Sequence, residues 1–216
     1  MMGDEFEREF RRYVRENRLR VRACMGEPMM LSPTRQALVE RIRNAFGGLR
    51  VGAEVNLYLS GEALDGCASD ELLTRLRKEE VRDDWQKIPV DLLFACSACF
   101  SFIEPEGIRY LLPAAMVATM RYPQADHLDL NFYLTGSSSS AAESLSLLDA
   151  NQRACVTDFM NEMRAEEGGD DGWLMTWDGL LPWEKELRAT TAPKLTHAQF
   201  AIKLMEEYLR RMKHSE

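Results

Sequence analysis

The sequence lacks most of what marks an enzyme, an exported protein or a membrane protein. No run approaches the ~18 consecutive apolar residues that a spanning helix needs. The longest apolar region, Leu111 to Met120, is interrupted by Pro113. The opening MMGDEFEREF is acidic and amphipathic, without the apolar centre of an export signal. There is no P-loop, no G-x-G-x-x-G, no H-E-x-x-H and no G-x-S-x-G. The usual settings for cradling phosphate, holding catalytic zinc or activating a serine are therefore missing, and no motif implies a cofactor. Histidine is scarce, with only His127, His197 and His214. No internal repeat is present. The five cysteines are an odd number in a chain without an export signal, which points to reduced thiols and a cytoplasmic location.

What is present is a core-forming composition. Hydrophobic residues make up 45% of the 216 positions, and charged residues 29%. The net charge of −8 favours solubility and disfavours a general nucleic-acid binder, which needs a broad basic face. The charge is uneven. Residues 1–53 carry eleven Arg against seven acids, and residues 54–121 seven bases against twelve acids. Residues 122–186 carry only Arg153, Arg164 and Lys185 against thirteen acids, and residues 187–216 return to about +3. An acidic middle can steer a basic protein partner. Its plainer reading is a solvated surface.

Helical periodicity dominates. Phe6, Phe10, Tyr13 and Val14 form one stripe over residues 4–22, and Gly26 and Pro28 then break it. Residues 1–28 thus read as an amphipathic arm or extension ahead of a helical core domain at 29–165. Ser32-Pro33 signals a helix start, and Gly47-Gly48 its end. VNLYLS alternates like a strand, but GEALDGCAS reads as turn and short helix, so residues 49–68 are read as irregular with a short helix. Ser69 and Asp70 open a further helix, in which Glu71 and Arg75 can pair. The apolar run from Val90 to Phe102 predicts one fully buried helix. Pro105 starts another, which Pro113 should kink or restart. Gly136 and Ser137 to Ser140 predict a loop, and Asp149 with Gln152 a capping box. Residues 166–216 read as a Trp-rich segment followed by a C-terminal helix capped by Thr196 and Gln199. The fold expected is all-α, a compact irregular helical domain with room for one short strand pair near 53–59 or 128–134.

Each candidate site has a plainer alternative. Cys96-x-x-Cys99 has a metal or redox spacing, but no second ligand pair exists and the motif lies inside an apolar run, where cysteine acts as a small hydrophobe. No metal site is expected. His127 lies between Asp126 and Asp129, whose carboxylates can raise its pKa; it also reads as an ordinary surface His. The Asp170-Asp171 pair lacks the full spacing of a calcium loop. Trp173, Trp177 and Trp183, interleaved with acids, suit an aromatic binding surface, or simply pack back on the helices.

Two elements carry a resemblance. Asp84-Trp85-Gln86-Lys87-Ile88-Pro89 has the form D-W-x-x-I-P. Pro105-Glu106-Gly107-Ile108-Arg109-Tyr110-Leu111-Leu112-Pro113-Ala114-Ala115-Met116 has the form P-E-G-x-R-Y-x-L-P-A-x-M. Over about residues 34–165 the chain resembles a family of small bacterial proteins with a domain of unknown function. Leu111 stands where that pattern has a second Tyr. The resemblance implies a bacterial, cytoplasmic helical domain and no chemistry. The leading expectation is a non-catalytic protein-binding module, immunity- or antitoxin-like, with an acidic surface for a basic partner. The alternative is an enzyme of unrecognised class with a cleft near Arg109, Tyr110 and His127.

Overall fold

The structure is a computed structural model that describes residues 2–65, 68–123, 125, 130, 134 and 139–166. It is mainly all-α, and the described residues include no strand. The helices are α1 (Met2–Met25), α2 (Pro33–Ala45), α3 (Tyr58–Asp65), α4 (Asp70–Glu79), α5 (Val90–Ala95), α6 (Pro105–Arg121), α7 (Ser139–Ser146) and α8 (Ala150–Glu166). Short 3-10 turns at Trp85–Lys87 and Ser97–Ser101 complete the set.

The helix starts follow local chemistry. Ser32 Oγ accepts from the Arg35 amide at 3.2 Å, and Ser69 Oγ from the Leu72 amide at 3.4 Å, each satisfying one orphan donor of a first turn. At α8 the capping box closes in both directions. The Gln152 amide donates to Asp149 Oδ1 at 2.9 Å, and the Asp149 amide donates to Gln152 Oε1 at 3.3 Å. At the end of α1, Gly26 takes φ 63°, the left-handed conformation that closes a helix.

The core lies between α2, α3, α4, α6 and α8. Ile42, Phe46, Leu57, Leu76, Ile108, Leu111, Met116 and Phe159 are fully buried there. Helix α2 lies along α8, joined by Arg35–Glu162 at 2.9 Å and Arg41–Asp158 at 2.6 Å. Helix α1 lies against α5 and buries Phe10, Val14 and Val21. Trp85 seats the approach to α5: its ring is buried and its Nε1 donates to the Phe46 carbonyl at 2.9 Å.

Three expectations are corrected. There is no strand at 53–59, because α3 begins at Tyr58 and the Leu59 and Ser60 amides go to the Glu80 carboxylate instead of a ladder. Near 128–134, Leu130 and Leu134 are helical, and the rest of that stretch lies outside the described residues. The run Val90 to Phe102 is not one helix. It is helical only to Ala95, turns at Cys96 (φ −115°, ψ 42°) and tightens into the 3-10 turn. The reason is close packing on α3: a Cβ on Gly61 would lie 2.4 Å from Ile103 Cγ2 and 3.1 Å from Cys99 Cβ. Of the loop expected at 136–140, Ser139 and Ser140 instead belong to α7, and 136–138 lie outside the described residues. By contrast, α6 runs through Pro113 as one helix.

Gly61 therefore sets how closely α3 and the Ser97–Ser101 turn approach. Gly61→Ala is expected to destabilise the chain by about 1–3 kcal/mol through overpacking. Chemical denaturation of the two proteins side by side measures it.

Candidate functional site

Two clusters of charge occupy the side of the molecule formed by α1, α3, α4 and α5. The inner one centres on Glu80, whose side chain has 0% exposure. Its Oε1 accepts from the Leu59 and Ser60 amides, both at 2.8 Å, and from Ser60 Oγ at 3.0 Å. These are the free amides of the first turn of α3, where a negative charge is favoured. Oε2 pairs with Arg82 at 2.6 Å. Arg82 also donates to the carbonyls of Arg77, Gly52 and Val55, so the loop before α3 is tied to the end of α4. Burial pushes the Glu80 carboxyl up; the Ser60 amide, the Arg82 charge, the Ser60 hydroxyl and the Leu59 amide pull the other way. Beside it the Tyr58 hydroxyl accepts from the Val81 amide at 3.1 Å, and burial pushes its pKa up to about 12. Asn56 extends the network. Its amide and Nδ2 both donate to Glu104, at 3.0 Å each, and its Oδ1 accepts from Arg77 Nε at 2.9 Å.

The outer cluster fastens α1. Asp91, on α5, accepts from Arg18 Nε at 2.6 Å and from Arg22 Nε. Burial opposes its ionisation, but the two guanidiniums outweigh that and hold its carboxyl below the usual range. A lowered carboxylate pKa adds stability above the unfolded value, about 3.9, that is lost as pH falls through the folded one. This contact is therefore complete at neutral pH and fails in acid. Arg11 makes a two-pronged pair with Glu79, at 2.7 and 3.0 Å. Glu7 accepts from Arg11 at 2.9 Å and from Arg75, the residue expected to pair with Glu71. Tyr13 donates to Glu62 at 3.0 Å. An open cleft of about 260 Å³ lies between α1 and the helices it covers, lined by Phe10, Val14, Leu59, Leu76 and Leu92 and edged by Arg11, Arg15, Arg18 and Glu79.

The thiols face inward. Cys96 and Cys99 are both at 0% exposure. Burial, reinforced by the charges of Glu62 and Glu80, pushes the Cys96 thiol up. Burial and then Cys96, Glu62 and Glu80 do the same to Cys99. Both are held as neutral thiols, poor nucleophiles and poor metal ligands. No group of three or more His, Cys, Asp or Glu placed for a metal ion occurs among the described residues.

The sequence-predicted site residues do not assemble where they are described. Arg109 turns to α8, donating from Nε and Nη2 to Gln152 Oε1 at 3.3 Å. Gln152 passes the contact on through Nε2 to the Ala45 carbonyl at 3.0 Å. Tyr110 is only 2% exposed, and burial followed by the charges of Asp83 and Asp84 pushes its pKa up. Neighbours on a helix point ~100° apart, so Arg109 and Tyr110 serve different contacts. His127, Trp173, Trp177 and Trp183 lie outside the described residues, as does the C-terminal helix expected to be capped by Thr196. Sequence reasoning missed Glu62, Glu79, Glu80 and Asp91. One signal was available: Asp91 is the only charged residue between Pro89 and Phe102. A lone carboxylate in an apolar run needs a partner.

The D-W-x-x-I-P and P-E-G-x-R-Y elements thus form the Trp85 seat and the buried face of α6. A family model with the description "Family of unknown function (DUF6714)" matches residues 34–177. The chain belongs to this family. No curated protein and no solved structure matches the chain. The span of the family model holds the whole Glu80 network, the acids Glu62, Glu79 and Asp91, and the cleft floor, and it leaves α1 outside.

Glu80→Ala is expected to cost about 3–5 kcal/mol, because it strands Arg82 and the two α3 amides in the interior. Glu80→Gln keeps an acceptor for those amides and should cost less. Urea unfolding of both variants resolves the order. Alkylation of the native chain, mapped by mass spectrometry, is expected to label exposed Cys24 at least about 100-fold faster than Cys96 or Cys99, with the difference abolished in denaturant.

Proposed function

We propose that the chain is a bacterial, cytoplasmic, non-catalytic protein-binding module, immunity- or antitoxin-like in manner, whose partner is a basic protein. The single observation that carries the reading is how the buried ionisable groups are used. Glu80 caps α3, Asp91 fastens α1, Glu62 accepts from Tyr13, and Arg35 joins α2 to α8. Each of these four has a structural partner and is engaged in holding the fold together. The charge distribution supports the sign of the partner: residues 122–186 carry thirteen acids against three bases. Within that block, Asp149, Asp158 and Glu162 serve the fold, while Glu143 is exposed. Complementary charge of this kind raises association rates and selects partners by sign.

The test is affinity capture of the tagged full chain from cells of the native host at low ionic strength. The expected result is one basic protein in near-stoichiometric amount, released as salt is raised to about 0.5 M, where the Debye length falls to a few ångströms. Recovery of no stoichiometric partner at low salt overturns the reading.

A further inference from the structure

We propose that the face of the domain beneath α1 is a helix-binding groove, and that its occupant in a complex is an arginine-rich amphipathic helix of the partner protein, which displaces α1. This rests on the reading of a basic protein partner and names where, and in what form, it binds.

Three observations converge. First, the groove lies within the family match and its cover lies outside it. Leu59, Leu76 and Leu92 form the floor and Glu62, Glu79 and Asp91 the acids, all within the matched residues 34–177, while α1 precedes them. Second, α1 meets the groove by a pattern and not by a special sequence. Phe10, Val14 and Val21 stand at i, i+4 and i+11, and Arg11, Arg18 and Arg22 at i+1, i+8 and i+12. Those intervals follow the heptad spacing of one helix face. Any helix with apolar and basic residues in that register presents arginines to Glu79 on α4 and Asp91 on α5, as Arg11, Arg18 and Arg22 do, and a hydroxyl at i+3, as Tyr13 does, reaches Glu62 on α3. The occupant is thereby fixed by charge complementarity as basic. Third, the fit is incomplete: the cleft of about 260 Å³ persists with α1 in place, beside Val14 and Phe10. A partner helix with larger apolar residues in this register gains burial that α1 does not, about 25 cal/mol per Å². Helix α1 can leave as a unit, since Gly26 at φ 63° ends it and a short segment leads to α2. Tethering gives α1 an effective concentration in the millimolar range, so a free helix must outcompete it.

The experiment titrates a fluorescent synthetic peptide of residues 2–25 against the full chain. Binding to the wild-type chain is expected to be weak. Against the Arg18→Ala/Arg22→Ala chain, whose own α1 is loosened, it should tighten at least about tenfold. Adding Asp91→Ala to that chain should reverse the gain, since the peptide's arginines then lack their acid. A designed helix with Phe at i, Tyr at i+3, Leu at i+4 and i+11 and Arg at i+1, i+8 and i+12 should compete. A scrambled peptide of equal charge should not. Should the double variant not fold by circular dichroism, Val14→Ala loosens α1 in its place. Equal affinity for loosened and wild-type chains, indifference to Asp91→Ala, or equal binding of the scrambled peptide overturns the proposal. Concentration-dependent dimers that exclude the peptide also overturn it, and assign the groove to a second copy's α1. Peptide exchange reads the groove alone, and cell capture reads whether a basic protein partner exists, so the two can fail separately.

Discussion

The Glu80 carboxylate at the first turn of α3 is the contact on which this side of the molecule depends. Taking a carboxylate to zero exposure costs several kcal/mol even after relaxation. Against that stand two backbone amides, a hydroxyl and a guanidinium. Relative to an apolar core such a fully partnered buried charge adds little net stability, while removing one partner is costly. What the network provides is position. It fixes where α3 starts, and through Arg82 and Asn56 it fixes the loop before α3 against α4 and α6. Once α3 starts at Tyr58, Gly61 meets Cys99 and Ile103, and the apolar run after Pro89 must break where it does.

The forces on α1 divide differently. Burying Phe10, Val14 and Val21 contributes ~1.5–3 kcal/mol each, the larger share of its attachment. The exposed pairs Arg11–Glu79 and Arg75–Glu7 contribute ~0–1 kcal/mol apiece. Charge therefore sets the register of α1, and apolar area sets its strength. Only the Asp91 contact, in which a mostly buried carboxylate is shared by two more exposed guanidiniums, adds to both.

Legibility in the sequence followed the range of each interaction. The caps at Ser32, Ser69 and Asp149–Gln152 were readable because donor and acceptor lie within three or four residues of each other. The helical class was readable for the same local reason. The alternation in VNLYLS was ambiguous because helix or strand was decided by Glu80, some twenty residues away. The break at Cys96 was hidden because it depends on a glycine of another helix. Arg109 and Tyr110 looked like a joint site because they are adjacent in the chain, yet adjacency on a helix separates side chains. The groove was illegible as a site, since its acids at 62, 79 and 91 form no motif and acquire one meaning only when α1 spans them.

The two charge clusters use separate residues, and that separation is what makes exchange of α1 physically reasonable. The inner network consists of Asn56, Ser60, Arg77, Glu80, Arg82 and Glu104. The polar partners of α1 are Glu62, Arg75, Glu79 and Asp91. No residue serves in both. The division is sharpest at the end of α4, where Glu79 points outward to Arg11 while Glu80, extended at φ −81° and ψ 145°, turns into the interior. Losing α1 would leave every bond of the inner network in place and uncover leucines and carboxylates already arranged for a helix. Phe10 and Val14 are part of the main apolar core, so a helix that replaces α1 must supply the same stripe as well as the same charges, while the inner polar network asks nothing of it.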